Sequence, residues 1–300
     1  MKKFLLLALV ILAVVLGYSL AKSTEQDKTS PKVSEKVKLP ILRVGLVADS
    51  EDENDLLTKA LNQMKGTGVN FVIGLGDWTS VGTVDQLEAA KRAFDKSSLV
   101  YYLTPGDHDL WDSRNRGEEA LTNYRQVFGD PSQSFTKNGV QFVILDNSDI
   151  YSGISEQGWR LLDSLGVTKV TKESKEPKEP NLSKTFGSFG FSVASDSSKL
   201  TFVFAHKTPF HPQSAHVMGE NNAEVSRQAR KLVDLLEEKK VDVFFSGDLH
   251  FFARFNSPAN VVKMTTIGAV GSERNFQGPR FAILTVFSDY SWEVDDVEIQ

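Results

Sequence analysis

The chain contains no cysteine among its 300 residues. Disulfide bonds, thiolate metal sites, cysteine nucleophiles and lipidated cysteines are therefore excluded. The chain also lacks an excess of positive charge, since 34 lysines and arginines stand against 39 aspartates and glutamates, for a formal net charge of -5. A general nucleic-acid-binding surface would require a basic face, so we expect no nucleic-acid partner.

Sequence motifs of several common enzyme classes are missing as well. The chain has no G-x-S-x-G nucleophile elbow, because Gly187-Ser188-Phe189-Gly190 lacks the required spacing. It has neither a G-x-x-x-x-G-K phosphate-binding loop nor a G-x-G-x-x-G dinucleotide-binding turn. Elbow-type serine hydrolases, P-loop nucleotide hydrolases and dinucleotide-dependent oxidoreductases therefore fit the sequence poorly.

The first 40 residues have the composition of a targeting segment and a tether. Lys2 and Lys3 precede an apolar run, and Ser19-Leu20-Ala21 resembles a cleavage site, so residues 1–21 are predicted to be a signal peptide or a membrane anchor. Residues 22–40 are polar and lack apolar periodicity, which indicates a linker. We expect the remainder of the chain to be extracytoplasmic, either secreted or held by a possible membrane anchor through the N-terminal segment.

Residues 41–300 have the composition of one large globular domain, with 40% hydrophobic and 24% charged residues over the whole chain. Apolar periodicity predicts alternating strands and helices over residues 42–47, 52–65, 70–75, 84–97 and 99–103. The order β-α-β-α-β predicts parallel strands with right-handed crossovers. A helix is expected over residues 118–128, followed by a hairpin around Asn138-Gly139.

The second half of the chain predicts a further sheet and two more helices. A charged, proline-containing stretch at about residues 171–183 indicates a surface insertion, and a strand is expected directly after it at residues 186–193. Residues 156–165 and 224–239 have helical spacing, and short apolar runs up to residue 297 predict the other strands. The predicted fold class is α/β: a four-layer α/β/β/α sandwich, with two mixed sheets packed face to face and helices outside.

Carboxylates and imidazoles directly follow five of the predicted strands. They are Asp49, Glu51, Asp77, Asp107, His108, His206, Asp248 and His250. Side chains at the carboxyl ends of neighbouring strands meet at one edge of an open α/β sheet, where active sites of such folds lie. A mixture of oxygen and nitrogen donors is typical of a metal site.

In order and spacing, these segments resemble the motifs of the calcineurin-like metallophosphoesterase superfamily, D-x-H, G-D-x-x, G-N-H-D/E, a lone histidine and G-H-x-H. Here they read Asp49-Ser50-Glu51, Gly76-Asp77, Gly106-Asp107-His108-Asp109, His206 and Gly247-Asp248-Leu249-His250. The resemblance covers about residues 41–256 and implies a hydrolase of small-molecule phosphate esters that uses two divalent metal ions.

The resemblance also implies a role for each matching residue. One metal would be held by Asp49, Glu51, Asp77 and His250, and the second by Asp77, Asp107, His206 and Asp248, so that Asp77 bridges them. His108 would lie beside the metals and stabilise developing charge or protonate the leaving oxygen. Two such ions would clamp the attacking and leaving oxygens of the displacement.

Three positions depart from the family pattern. Glu51 and Asp248 replace histidines, and Asp107 replaces an asparagine, which raises the carboxylates in the ligand set from two to five. Two dications would then leave the ligand set with a net charge of about −1 instead of +2, which predicts weaker attraction for phosphate. A carboxylate-rich set favours Mn²⁺, Mg²⁺ or Fe over Zn²⁺.

The substitutions leave a second interpretation open, namely a catalytically weakened binding or scaffold protein with the same fold. A nuclease is a third interpretation, which the acidic net charge disfavours. Because a purely structural metal site has no use for His108, that residue favours the hydrolase.

The sequence leaves two possible roles open for several individual residues. Ser50 with Glu53 fits a capping box, and Glu51 could complement a helix dipole instead of binding metal. His211 and His216 either line a substrate cleft or lie on a surface loop, while Asn147 either touches substrate or serves a turn.

Overall fold

In a computed structural model of the protein, residues 38–166 and 198–300 are described. The predicted targeting segment, almost all of the linker, the insertion at about 171–183 and the strand expected at 186–193 lie outside these residues. Contacts divide the chain after Lys38, and Leu39–Gln300 forms one compact unit. Within the described residues, no helix is both long enough and apolar enough to cross a bilayer.

The first sheet has five strands in the order β11-β10-β1-β2-β3. Their bounds are β1 Pro40–Val47, β2 Phe71–Leu75, β3 Tyr101–Thr104, β10 Arg280–Phe287 and β11 Trp292–Glu298. The strands β1, β2 and β3 run parallel, as the β-α-β-α-β order predicts, and β10 and β11 add antiparallel pairs at the other edge.

The second sheet has six strands in the order β4-β5-β6-β7-β9-β8. Their bounds are β4 Gln133–Lys137, β5 Val140–Leu145, β6 Leu200–Ala205, β7 Val243–Ser246, β8 Ala253–Asn256 and β9 Lys263–Thr266. The predicted hairpin is confirmed: β4 and β5 pair antiparallel, and Asn138 and Gly139 both have positive φ, as a tight two-residue turn requires.

The described helices are α1 Asn54–Gly66, α2 Val84–Ser97, α3 Trp111–Asn115, α4 Thr122–Phe128, α5 Glu156–Asp163 and α6 Ala223–Glu238. A 3₁₀ turn, His108–Leu110, precedes α3. One local prediction is wrong, and one alternative does not form. The helix expected from residue 118 begins only at Thr122, because Ala120 and Leu121 form a turn and Glu118 and Glu119 are not helical. Ser50 and Glu53 form no capping box, since the Glu53 carboxylate accepts hydrogen bonds from Ser272 instead.

The two sheets face each other across an aromatic core. Phe71 of β2 meets Phe142 of β5 edge to face, with ring centroids 5.3 Å apart. Helices α1 and α2 cover the outer face of the first sheet, where Leu61 and Phe94 are fully buried. Helices α5 and α6 cover the second sheet in the same way. The four-layer α/β/β/α sandwich is therefore confirmed, and burial of apolar area on both faces of each sheet supplies most of its stabilisation.

Candidate metal centre

The polar cluster lies where parallel strands of both sheets end. Strands β1, β2 and β3 end at Val47, Leu75 and Thr104, and the carboxylates and the imidazole predicted for the site follow within four residues of each end. Strands β6 and β7 end at Ala205 and Ser246, just before His206 and Asp248. The face-to-face packing of the sheets thus brings together residues that are up to about 200 positions apart in sequence.

Five of the predicted ligands have a left-handed backbone, which only glycine adopts easily. Their φ angles are 55° for Asp49, 39° for Glu51, 54° for Asp77, 67° for Asp248 and 58° for His250. Such strain costs on the order of 1 kcal/mol for each residue and persists only where the surrounding structure holds it. Its concentration at these strand ends marks the cluster as a functional site.

Two glycines allow the loops after β2 and β3 to touch. A Cβ atom on Gly106 would lie 2.0 Å from Oδ1 of Asp77, and one on Gly76 would lie 2.4 Å from the backbone nitrogen of Gly106. The amide of His108 also donates a hydrogen bond of 3.1 Å to Oδ1 of Asp77. These approaches fix the carboxylate of Asp77 in the middle of the cluster.

Three histidines present the same ring nitrogen to the site. The Nδ1 atoms of His108, His206 and His250 lie 3.1, 2.7 and 3.0 Å from the backbone carbonyl oxygens of Ser80, Leu75 and Glu273. Because a carbonyl can only accept, each Nδ1 donates, which leaves Nε2 as the ring nitrogen available to the site. Backbone carbonyls hold metal-binding histidines in this orientation.

Asp49, Asp77 and His206 form the buried centre of the cluster, with one donor atom of each within 4.8 Å of the others. Burial raises the pKa of the Asp49 carboxyl to about 7 and that of the Asp77 carboxyl to about 8, although the charge of His206 acts in the opposite direction. The buried carboxylates are therefore costly as bare anions, and a bound cation would relieve that cost.

The second group of donors surrounds the Nε2 atom of His206. This atom lies 3.5 Å from Oδ2 of Asp77, 3.3 Å from Oδ1 of Asp107 and 3.5 Å from Oδ1 of Asp248. Donors about 2.1 Å from a tetrahedral metal ion lie about 3.4 Å from one another, so the spacing fits a cation. His206 Nε2 and Asp248 Oδ2 are buried without a hydrogen-bond partner.

A lysine that the sequence analysis did not single out lies inside this group. The Nζ atom of Lys207 is 2.9 Å from Oδ1 of Asp107 and 2.6 Å from Oδ1 of Asp248. Although burial acts to lower the pKa of Lys207, the charges of Asp248 and Asp107 raise it above its ordinary value, so the side chain is an ammonium. A lysine directly after a predicted ligand histidine was the signal available in the sequence.

Glu51 lies at the other side of the cluster between a histidine and an arginine. Its Oε1 atom is 3.5 Å from Nε2 of His250 and 2.8 Å from an Nη atom of Arg274. The carboxylate therefore points into the site and does not serve the start of α1. Lys207 and Arg274 add two positive charges beside the ligand set, which the predicted charge of the ligands alone does not include.

His108 lies at the mouth of the site. One donor atom of its ring lies within 4.8 Å of donor atoms of Glu51 and Asp77. The ring stacks on Trp111 with centroids 4.0 Å apart, and Trp111 remains 37% exposed. His108 is thus held between the cluster and an accessible aromatic surface, which suits contact with a substrate's leaving group.

Two buried polar residues near the site hold backbone loops in place through hydrogen bonds. The carboxylate of Asp109 accepts hydrogen bonds from the backbone amides of Trp78, Thr79 and Gly106, so Asp109 supports the loops after β2 and β3. The side chain of Asn147 bonds both to the amide of Lys207, at 2.9 Å, and to its carbonyl, at 2.7 Å. Asn147 therefore positions the loop after β6 and is itself buried.

The two histidines of that loop differ. The Nδ1 atom of His211 accepts hydrogen bonds from the amides of Gln213 and Ser214, which makes His211 a loop residue. The Nε2 atom of His216 lies 3.3 Å from Oδ1 of Asp248, and this contact raises the pKa of His216 to about 9. The structure thus brings His216 to the site while half of its side chain remains exposed.

Comparison with known proteins agrees with this geometry. The sequence profile of the calcineurin-like phosphoesterase family matches residues 42–252. No curated protein sequence matches the chain.

Two solved structures share the fold. A dimetal phosphatase from Danio rerio has 17% identity and a TM-score of 0.53, covering 87% of this chain and 100% of that one. A purple acid phosphatase from yellow lupin seeds has 15% identity and a TM-score of 0.57, covering 86% of this chain and 51% of that one. Since the family profile spans more than two thirds of the sequence and the four-layer fold agrees with it, the chain belongs to the calcineurin-like phosphoesterase family.

Proposed function

We propose that the protein hydrolyses a small-molecule phosphate ester at a metal centre held by the carboxylates and imidazoles at the strand ends. The observation that carries this proposal is the convergence of the predicted residues on one cluster, in which His250 contacts Glu51 and the other seven form overlapping groups, with His206 Nε2 and Asp248 Oδ2 buried without a partner. When bound, a divalent ion supplies Lewis acidity to the phosphate oxygens and to the attacking water.

The chain's own residues orient the reacting groups. Asp49, Asp77 and the Nε2 atoms of His206 and His250 supply donors for the ion, and their backbone contacts keep these donors in place before substrate arrives. Arg274 is 58% exposed at its side chain beside Glu51, where it can bind a phosphate oxygen. The Nε2 atom of His108 is placed to pass a proton to the leaving oxygen.

The metal identity follows from the donor chemistry. Within the described residues, the site is rich in carboxylate oxygens and the whole chain has no thiol. We therefore propose Mn²⁺, Mg²⁺ or Fe as the working ion in preference to Zn²⁺. Metal analysis after purification checks this, and tightly held zinc at the site would contradict it.

An aromatic cleft beside His108 indicates which esters to test. Trp111, Arg114, Asn115, Ile150 and Tyr151 line it, and Trp111 and Tyr151 are both exposed. Planar leaving groups can pack against such side chains. An aryl phosphomonoester and an aryl phosphodiester are therefore the first substrates to try.

The test uses the purified chain, stripped of metal and reloaded with Mn²⁺. We expect metal-dependent hydrolysis of at least one aryl ester, lost in Asp77→Asn and retained in Asp234→Asn, which alters a carboxylate on the exposed face of α6. Hydrolysis that continues without metal, or that survives Asp77→Asn, would contradict the proposal.

A second candidate function is a binding or scaffold protein with weakened chemistry. The pairing of Lys207 with Asp107 and Asp248, and of Arg274 with Glu51, favours it, because three of the five carboxylates already have a cationic partner. Metal binding with no turnover of either ester, in a correctly folded protein, would favour this function over the hydrolase.

We further propose that the phosphoesterase domain works outside the cytoplasm, secreted or anchored through residues 1–21. The support is the charged and apolar composition of that segment. Cell fractionation with externally added protease tests this: degradation of the domain in intact cells supports it, and protection in the cytoplasmic fraction contradicts it.

A further inference from the structure

Lys207 is a buried lysine within the second group of donors of the predicted metal site. It follows His206 directly at the end of β6, and only 5% of its surface is exposed. Its Nζ atom contacts Oδ1 of Asp107 at 2.9 Å and Oδ1 of Asp248 at 2.6 Å. Buried lysines are rare unless their charge is paired, so this placement requires the two carboxylates.

The backbone of Lys207 is fixed as firmly as its side chain. Asn147 donates to the carbonyl oxygen of Lys207 and accepts from its amide, and Asn147 is fully buried. The ammonium is therefore held at this place by contacts at both ends of the residue.

The atoms that hold Lys207 are the same atoms that would bind the second metal ion. Oδ1 of Asp107 and Oδ1 of Asp248 lie 3.3 and 3.5 Å from Nε2 of His206, at the spacing expected of shared ligands. A dication bound to these oxygens would have to share both of them with an ammonium a few ångströms away. Like charges at that separation in a buried site repel strongly.

We propose that the ammonium of Lys207 takes the place of the second metal ion, so that the centre holds one divalent ion and one fixed lysine charge. This inference rests on the proposed metal-dependent function and replaces the prediction of two ions. Asp49, Asp77 and His206, the buried centre of the cluster, remain available to the single ion together with Glu51 and His250.

The two carboxylates in contact with Lys207 are at two of the three positions that depart from the family pattern. An ammonium donates hydrogen bonds and binds carboxylates better than neutral groups, so Asp107 and Asp248 suit a lysine. The Nζ atom of Lys207 lies within 2.9 Å of one oxygen of each of these carboxylates.

Metal stoichiometry tests the inference without relying on activity. The full chain is stripped, dialysed against Mn²⁺ and analysed for bound metal, and the spin coupling of the bound Mn²⁺ is read by electron paramagnetic resonance. We compare wild type with Lys207→Met, which keeps the length of the side chain and removes its charge. Lys263→Met on the exposed side of β9 is the matched control, and circular dichroism verifies folding.

We expect about one Mn²⁺ per chain in wild type and in the control, with an uncoupled signal, and about two coupled ions in Lys207→Met. Two tightly bound, coupled ions in wild type would overturn the inference and leave the proposed function standing. A single ion in both wild type and folded Lys207→Met would also overturn it, since Lys207 would not be what excludes the second ion. No bound metal in wild type would contradict the proposed function as well.

Discussion

Gly106 and Asp77 pack so closely that no other residue fits at position 106: a Cβ atom there would lie 2.0 Å from Oδ1 and 2.3 Å from the backbone nitrogen of Asp77. Gly106→Ala must therefore displace the carboxylate at the centre of the site. We expect Mn²⁺ affinity to fall about 10- to 100-fold, measured by calorimetric titration.

Gly66→Ala is the matched control for this change. Gly66 is the last residue of α1, and a Cβ atom there would meet no other atom within 4 Å. The Mn²⁺ affinity of Gly66→Ala is expected to equal that of wild type. If Gly106→Ala binds Mn²⁺ as tightly as Gly66→Ala, the close approach does not position Asp77.

His108 is expected to act in the reaction without holding the metal. His108→Ala should lower kcat for the aryl esters about 10²- to 10⁴-fold, because the leaving oxygen then lacks a proton donor, while the bound metal per chain stays unchanged. His211→Asn is the control, since asparagine keeps an acceptor for the loop amides of Gln213 and Ser214. Loss of metal in His108→Ala would instead make His108 a ligand.

Asp109 should matter to stability more than to chemistry. Its buried carboxylate accepts hydrogen bonds from Trp78, Thr79 and Gly106, so Asp109→Ala leaves buried amides unpaired and should cost about 1–3 kcal/mol or more of the free energy of unfolding. Asp234→Ala, on the exposed face of α6, should change it by less than about 0.5 kcal/mol. Urea titration of both variants measures the difference. Equal midpoints of unfolding would show that the hydrogen bonds of Asp109 do not stabilise the fold.

Metal-free protein should lose stability as the pH rises from about 5 to about 8. Burial raises the pKa of Asp49 to about 7 and of Asp77 to about 8, and neighbouring carboxylates, Asp77 first, raise the pKa of His206 against the effect of burial. A group whose pKa is raised by folding contributes stability at low pH, and this contribution is lost as the pH rises through the folded pKa.

Thermal unfolding between pH 5 and pH 8 checks this expectation. In the presence of a chelator, the Tm should fall as the pH rises. With Mn²⁺ the Tm should fall less, because the metal ion neutralises the buried carboxylates. In Asp77→Asn the fall should be smaller even without metal. A metal-free Tm that rises over this range would contradict the assigned directions.

Much of the fold could be predicted from the sequence because its signals are local. Alternating apolar periods indicated β1, α1, β2, α2 and β3 in order, and Asn138-Gly139 indicated the hairpin between β4 and β5. Polar residues directly after each strand indicated where the site lies. The start of α4 was predicted wrongly, and the alternative of a capping box at Ser50 and Glu53 does not form because the Glu53 carboxylate accepts hydrogen bonds from Ser272.

The sequence determined which residues form the site, because the carboxyl ends of parallel strands in one sheet lie at the same edge. What the sequence by itself left open was the charge and the partner of each side chain. Only the folded chain places Lys207 between Asp107 and Asp248, Arg274 on Glu51 and Asp109 under the loops of β2 and β3. Those pairings depend on distances of a few ångströms between segments up to 223 residues apart, which no local pattern encodes.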